Sequence, residues 1–144
     1  MNDPRLFSAT EICLGNASRM AARAVRRVYN RQMRPLDINH PQFGLLVALA
    51  RSPRNNIREL ADKMALDAST LTRNIAVLER RGAVSSDGGR GRAGKVFRLT
   101  PEGEELLGRA LNAWEAAHDV LTQEFPQYRA RNRIRHHIIL SHSP

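Results

Sequence analysis

Residues 56 to 99 constrain this chain more than any other stretch. They hold two short amphipathic segments around a tight turn, a glycine stop, and two extended segments flanking a loop of glycine and arginine. Asn56 followed by Glu59 has the spacing of a capping box, with asparagine in place of the usual hydroxyl residue. Ile57, Leu60, Ala61 and Met64 then recur at the i, i+3, i+4, i+7 spacing of a short helix with one apolar face. Leu66-Asp67 is a tight connection, and Asp67 suits the N-cap of a second helix. That helix sets Leu71, Ile75 and Leu78 inward and stops at Gly82, placed as a C′ glycine. Ala83-Val84-Ser85-Ser86 and Val96-Phe97-Arg98-Leu99 read as short strands. Between them DGGRGRAG (87–94) carries four of the nine glycines, too flexible for regular structure.

Helix, tight turn, helix and basic hairpin is the order of a winged helix-turn-helix, whose second helix enters the major groove of DNA. At 100° per residue, turning Leu71, Ile75 and Leu78 inward puts Ser69, Arg73 and Arg80 near the opposite face, flanked by Thr70, Thr72 and Ala76. Small hydroxyls and backbone N–H groups can hold phosphates, and an arginine can grip guanine O6 and N7 in a bidentate pair. An ordinary amphipathic helix with a polar outer face would look the same in isolation. The hairpin argues otherwise: Arg90, Arg92 and Lys95 crowd its tip and Arg98 lies on the returning strand. Such a loop suits a phosphate backbone or a minor groove. It is no nucleotide cradle, because it lacks the GxxxxGK[ST] spacing and runs into a strand rather than a helix.

The flanks read as helices. Ser8 to Met33 is free of proline, and Met20, Ala21, Ala24, Val25 and Val28 form an apolar stripe beside Arg19, Arg23, Arg26, Arg27 and Arg31. Pro35 ends it. A helix this long in a 144-residue chain suggests packing against a subunit partner. Asn39-His40-Pro41 starts another helix with Phe43, Leu46, Val47 and Ala50 inward, followed by a turn at Ser52–Asn55. Thr100-Pro101-Glu102 is a strong helix start, and that helix runs to about Glu124, with too many apolar positions for one narrow face. Pro126 breaks it before a last helix with Ile134 and Ile138.

Charge supports the same reading. The chain carries 23 Lys and Arg against 14 Asp and Glu, and residues 51–100 alone hold eleven basic and five acidic side chains. A surplus concentrated there suggests a localised polyanion-binding surface. A single cysteine, Cys13, excludes an internal disulfide framework and makes the cytoplasm the natural setting. No run approaches the ~18 apolar residues of a membrane span. His136, His137 and His142 have no Asp, Glu or Cys near them in sequence, so no metal site is expected, nor any other cofactor. No catalytic motif is present, so no enzyme is expected.

Together INHPQFGLLVALA, IRELADKMALDASTLTRNIAVLERRGAV and VFRLTPEGEELL resemble the MarR family of bacterial regulators over roughly residues 38 to 121. The resemblance implies a mainly α fold with a small β-hairpin wing (α+β): a winged helix-turn-helix lobe (38–100) flanked by long dimerisation helices (6–35 and 101–140), all in one unit spanning 1–144. It implies a homodimer on double-stranded DNA at a pseudo-palindromic operator, with no membrane partner, acting as a repressor that a small lipophilic or aromatic effector releases. Ser69, Thr70, Thr72 and Arg73 match recognition-helix positions, and Arg90, Arg92 and Lys95 lie in the wing. The family often carries Asp-x-Arg before the Leu-Thr of the wing. Here that aspartate is missing, unless Asp87 serves Arg92 from farther away. Tyr29 and Trp114 are expected to be packing residues rather than effector contacts.

Three other readings stay open. Some relatives sense organic hydroperoxides through a cysteine near the start of the first helix, the place of Cys13, although a lone cysteine is ordinarily a small buried hydrophobe. A basic dimer could instead coat DNA without choosing a site, as architectural proteins do. A winged helix can also serve as a protein-interaction module.

Overall fold

The computed structural model describes residues 3, 5, 13–52, 55–88 and 94–124. Helix α1 (Leu14–Met33) passes into a 3-10 turn (Arg34–Leu36) that contains Pro35, and Asp37 closes it in the left-handed region at φ 52°. Helix α2 (His40–Arg51) is the hub of the lobe. Asn39 and Gln42 cap it reciprocally, each side chain bonding the other's backbone N–H at 3.0 Å. The expected inward stripe is partly corrected here: Phe43 and Leu46 are buried, Val47 is half-buried and Ala50 is exposed. Leu45 and Leu49 are buried instead, because α2 is packed on several sides, by α1, by the lobe and by the last helix, rather than on one.

Strand β1 (Asn55–Asn56) comes next, where the sequence suggested only a turn. It pairs antiparallel with β3 (Val96–Leu99), which also pairs with β2 (Val84–Asp87), so the expected two-stranded hairpin is a three-stranded sheet in the order β1-β3-β2. Two residues show no period, and their pairing is fixed by a partner about forty positions away. Helices α3 (Ile57–Met64) and α4 (Ala68–Arg80) follow β1. Leu60, Leu71, Ile75 and Leu78 meet Leu45, Leu46, Leu49 and Phe97 in one apolar core. Gly82 ends α4 at φ +71° in a Schellman turn, with Gly82 N–H bonded to Glu79 O at 2.9 Å and Ala83 N–H to Leu78 O at 3.0 Å.

Helix α5 (Pro101–Glu124) runs back along α1. Thr100 caps it, accepting from the Gly103 N–H at 3.0 Å while donating to Gly82 O at 2.5 Å. The α1–α5 pair leaves apolar side chains bare: Leu14 is 80% and Met20 64% exposed, with Leu111 and Val120 above 40%. The stripe containing Met20, Ala21 and Ala24 therefore faces away from the described core, which α1 reaches through Met33 and half-buried Tyr29. The expected helical stretches at 6–12 and 125–140 lie outside the described residues.

Candidate nucleic-acid interface

The presentation of α4 begins one turn earlier. Ala65 ends α3 in the left-handed region at φ 50°, and Asp67 then opens α4 from an extended backbone. The Asp67 carboxylate accepts from the Thr70 N–H at 2.8 Å, the Ser69 hydroxyl at 2.5 Å and the Thr70 hydroxyl at 2.7 Å. These hydrogen bonds, those of Ser69 and Thr70 foremost, hold its carboxyl well below the usual carboxylate range. The hydroxyl protons read from sequence as phosphate donors thus point at Asp67, which leaves the hydroxyl oxygens as acceptors. The first N–H groups of the helix have no intrahelical acceptor. Thr72 donates to Ala68 O at 2.7 Å, and Asn74 donates from Nδ2 to Thr70 O at 3.1 Å.

Ser69, Thr72, Arg73 and Arg80 are exposed on one side of α4, Thr70 is half-buried, and Leu71, Ile75 and Leu78 fill the core from the other. The guanidinium of Arg73 lies 3.5 Å from Thr70 Oγ1, a loose contact that leaves it free to swing outward. Glu79, near the end of the helix, accepts from the Ser86 hydroxyl at 2.8 Å and so ties α4 to β2.

In the wing, Lys95 is exposed at the start of the returning strand, whereas Arg90 and Arg92 lie outside the described residues. Asp87 does have an arginine partner: Arg98 Nη1 forms a close ion pair with its carboxylate. The register sets Ser85 opposite Arg98 and Asp87 opposite Val96, so Asp87 and Arg98 are diagonal neighbours on one face of the sheet. A smaller link escaped the sequence: Lys63 Nζ donates to Asn55 Oδ1 at 2.6 Å and ties α3 to β1.

A row of stacked rings joins α1, α2 and α5. The Tyr29 and His40 centroids are 4.6 Å apart, Phe43 and Trp114 6.5 Å, and Trp114 and His118 4.9 Å. Tyr29 Oη lies 3.3 Å from His118 Nδ1. Burial pushes the Tyr29 phenol up and the His40 imidazole down, and Arg26 adds to the latter. Tyr29 and Trp114 are half-buried within this row. On another side of α5, Leu49, Leu99, Leu107 and Leu111 line an open groove of about 480 Å³ that Arg98 and Glu104 border. Cys13 is exposed at the N-terminal end of α1. Among the described residues no group of three His, Cys, Asp or Glu side chains is placed to hold a metal ion, and no helix is long and apolar enough to cross a membrane.

An exposed polar helix held by a capped turn beside a basic hairpin defines a winged helix-turn-helix. A sequence model described as the MarR family matches residues 36–93. Over 92% of its length this chain superposes on 99% of the Mycobacterium tuberculosis transcriptional regulator MosR, at 27% identity and a TM-score of 0.74. The same regulator in complex with DNA matches at 26% identity and a TM-score of 0.71, over 90% of this chain and 97% of that one. CouR from Rhodococcus jostii RHA1 bound to p-coumaroyl-CoA shares the fold at 24% identity and a TM-score of 0.70, over 87% and 88% of the two chains. No curated protein matches by sequence. Residues 36–93 thus match the MarR family, and the fold around them is that of solved DNA-binding transcriptional regulators.

Proposed function

We propose that the protein is a sequence-specific repressor that binds a pseudo-palindromic operator as a homodimer and leaves it when a small lipophilic or aromatic ligand binds. The observation that carries this reading is α4 itself, whose inner face is core and whose outer face exposes Ser69, Thr72 and Arg73. In this reading Arg73 reads a base, Ser69, Thr70 and Thr72 face the groove with their hydroxyl oxygens as acceptors, and Arg90, Arg92 and Lys95 follow the backbone from the wing. The bare apolar residues of α1 and α5 support pairing of two copies. MosR in complex with DNA, and CouR bound both to a 23-mer duplex and to p-coumaroyl-CoA, support DNA and an effector as ligands of this fold. The groove between α2, β3 and α5 is the place for such an effector.

The test is fluorescence anisotropy on the upstream intergenic DNA with excess scrambled duplex, near physiological salt. A specific regulator retains a preference of about 10³-fold or more, whereas an architectural protein loses its DNA to the competitor. Absence of any DNA binding would point to a protein-interaction module. A peroxide-responsive variant of the reading is favoured by the exposure of Cys13. It requires an organic hydroperoxide to release DNA from the parent but not from Cys13→Ser, and equal behaviour of the two would end it.

A further inference from the structure

The Schellman turn at the end of α4 is gripped from two sides. On one side, Thr100 donates to Gly82 O at 2.5 Å, its N–H reaches Ala83 O at 3.2 Å, and Gly103 packs against that carbonyl. On the other, Arg81 Nη2 donates to Leu36 O at 2.9 Å and Nη1 donates to Asp37 O, with the Asp37 carboxylate 3.9 Å away. Leu36 and Asp37 belong to the turn that continues α1. The two sets of bonds therefore fasten one end of α4 to both long helices. The Arg81 side chain is only 29% exposed. A planar guanidinium presents donors in a fixed fork that can meet two successive carbonyls, which an ammonium cannot reproduce.

We propose that Arg81 is a positioning residue that sets the angle of α4 on the α1–α5 frame, and through it the half-site spacing that the dimer accepts. This inference rests on the homodimer reading above. Half-sites on one face of DNA recur every 10–10.5 base pairs, or 34–36 Å. One extra base pair therefore displaces a half-site by about 3.4 Å and turns it by about 35°. A helix gripped on both sides of its end cannot follow that change, and one freed on the α1 side, held only through Thr100 and Gly103, follows it more readily. The competing role for a surface arginine is a phosphate contact, which lysine would preserve.

The probe is the duplex that the unaltered protein selects from a random 30-base-pair library, with copies carrying one base pair added or removed at its centre. The parent should lose about 30-fold or more on the altered spacings. Arg81→Ala and Arg81→Lys should both lose about threefold or less, with the salt slope of Arg81→Lys unchanged and melting within a few degrees of the parent. Discrimination equal to the parent's in both variants overturns the proposal. So does a phosphate signature, in which Arg81→Lys resembles the parent while Arg81→Ala weakens on every duplex and its salt slope falls by about one. If Arg81→Ala does not fold, Arg81→Lys carries the comparison. A parent that selects no two-fold symmetric duplex removes the homodimer reading, and this inference with it, before any variant is needed.

Discussion

Replacing Gly103 by alanine sets two well-known effects against each other. Gly103 lies in the first turn of α5, where alanine should help by up to about 1 kcal/mol on helix propensity alone. A Cβ built there would stand 2.0 Å from the Ala83 carbonyl oxygen and 2.9 Å from its carbon. The obstacle is backbone, so no rotamer change relieves it, and α5 must retreat by about 1 Å or more to bring the oxygen contact to 3.0 Å. That retreat pulls on two bonds at once, Thr100 N–H to Ala83 O and Thr100 Oγ1 to Gly82 O. Overpacking costs about 1–3 kcal/mol, and the strained bonds bring the net loss to about the same figure after the propensity gain. Gly108, five residues on and exposed in the same helix, has no heavy atom within 4 Å of the corresponding Cβ. Gly108→Ala should therefore stabilise by about 0.5–1 kcal/mol. Urea and thermal unfolding followed by helical circular dichroism, at one fixed protein concentration because pairing would add to stability, give both values. At about 2–4 °C per kcal/mol the melting temperatures should move in opposite directions, down for Gly103→Ala and up for Gly108→Ala. A Gly103→Ala protein as stable as the parent would refute the steric argument.

Arg73→Ala should relax base preference at particular operator positions, whereas Lys95→Ala should weaken all duplexes evenly and lower the salt slope by about one; uniform loss in both would remove Arg73 as a reader. Ala65→Gly relieves a left-handed backbone and should leave stability unchanged or raise it by up to about 1 kcal/mol, and a clear loss in urea would show that φ at this turn carries no strain. Met20→Glu should shift sedimentation toward the monomer and lower DNA affinity together, and an unchanged sedimentation coefficient would place pairing elsewhere. Because the Asp67 carboxyl is depressed in the folded state, its contribution is complete above the unfolded value near 3.8 and declines as pH falls below it. The stability gap between the parent and Asp67→Asn should thus be flat from pH 7 to 5 and shrink toward pH 3, and a gap that instead changes between pH 7 and 5 would contradict that assignment.

What the sequence made legible was local. Asn56 with Glu59, Asp67 ahead of α4, Gly82 behind it and Thr100 at the start of α5 all act within a few residues, and each forms the bond that its spacing implied. The box of Asn39 and Gln42 has the same three-residue spacing and is equally local. Ala65 gave no sign because a left-handed residue is recognisable in advance only when it is glycine or asparagine. Strand β1 depends on β3, and Arg81 on carbonyls 44 and 45 residues away, so neither leaves a periodic trace. Asp87 pairs with Arg98 through the register of β2 and β3, a cross-strand link that no spacing announced, while its candidate partner Arg92 lies outside the described residues. The Ser69 and Thr70 hydroxyls could be ranked as polar and outward, but not as donors already committed to Asp67.

That commitment bears on how long the protein stays on the wrong DNA. Asp67 remains ionised at any physiological pH and stands at the N-terminal end of the helix proposed to enter the groove. A fixed negative charge there opposes every phosphate it meets, whatever the sequence, and offsets part of the attraction of the basic wing. Under the reading proposed above, Arg73 would return that loss at matched bases and not at mismatched ones. A penalty that ignores sequence shortens visits to random DNA and to an operator by the same factor, so the carboxylate hastens release from wrong sites and leaves the choice between sites to base contacts.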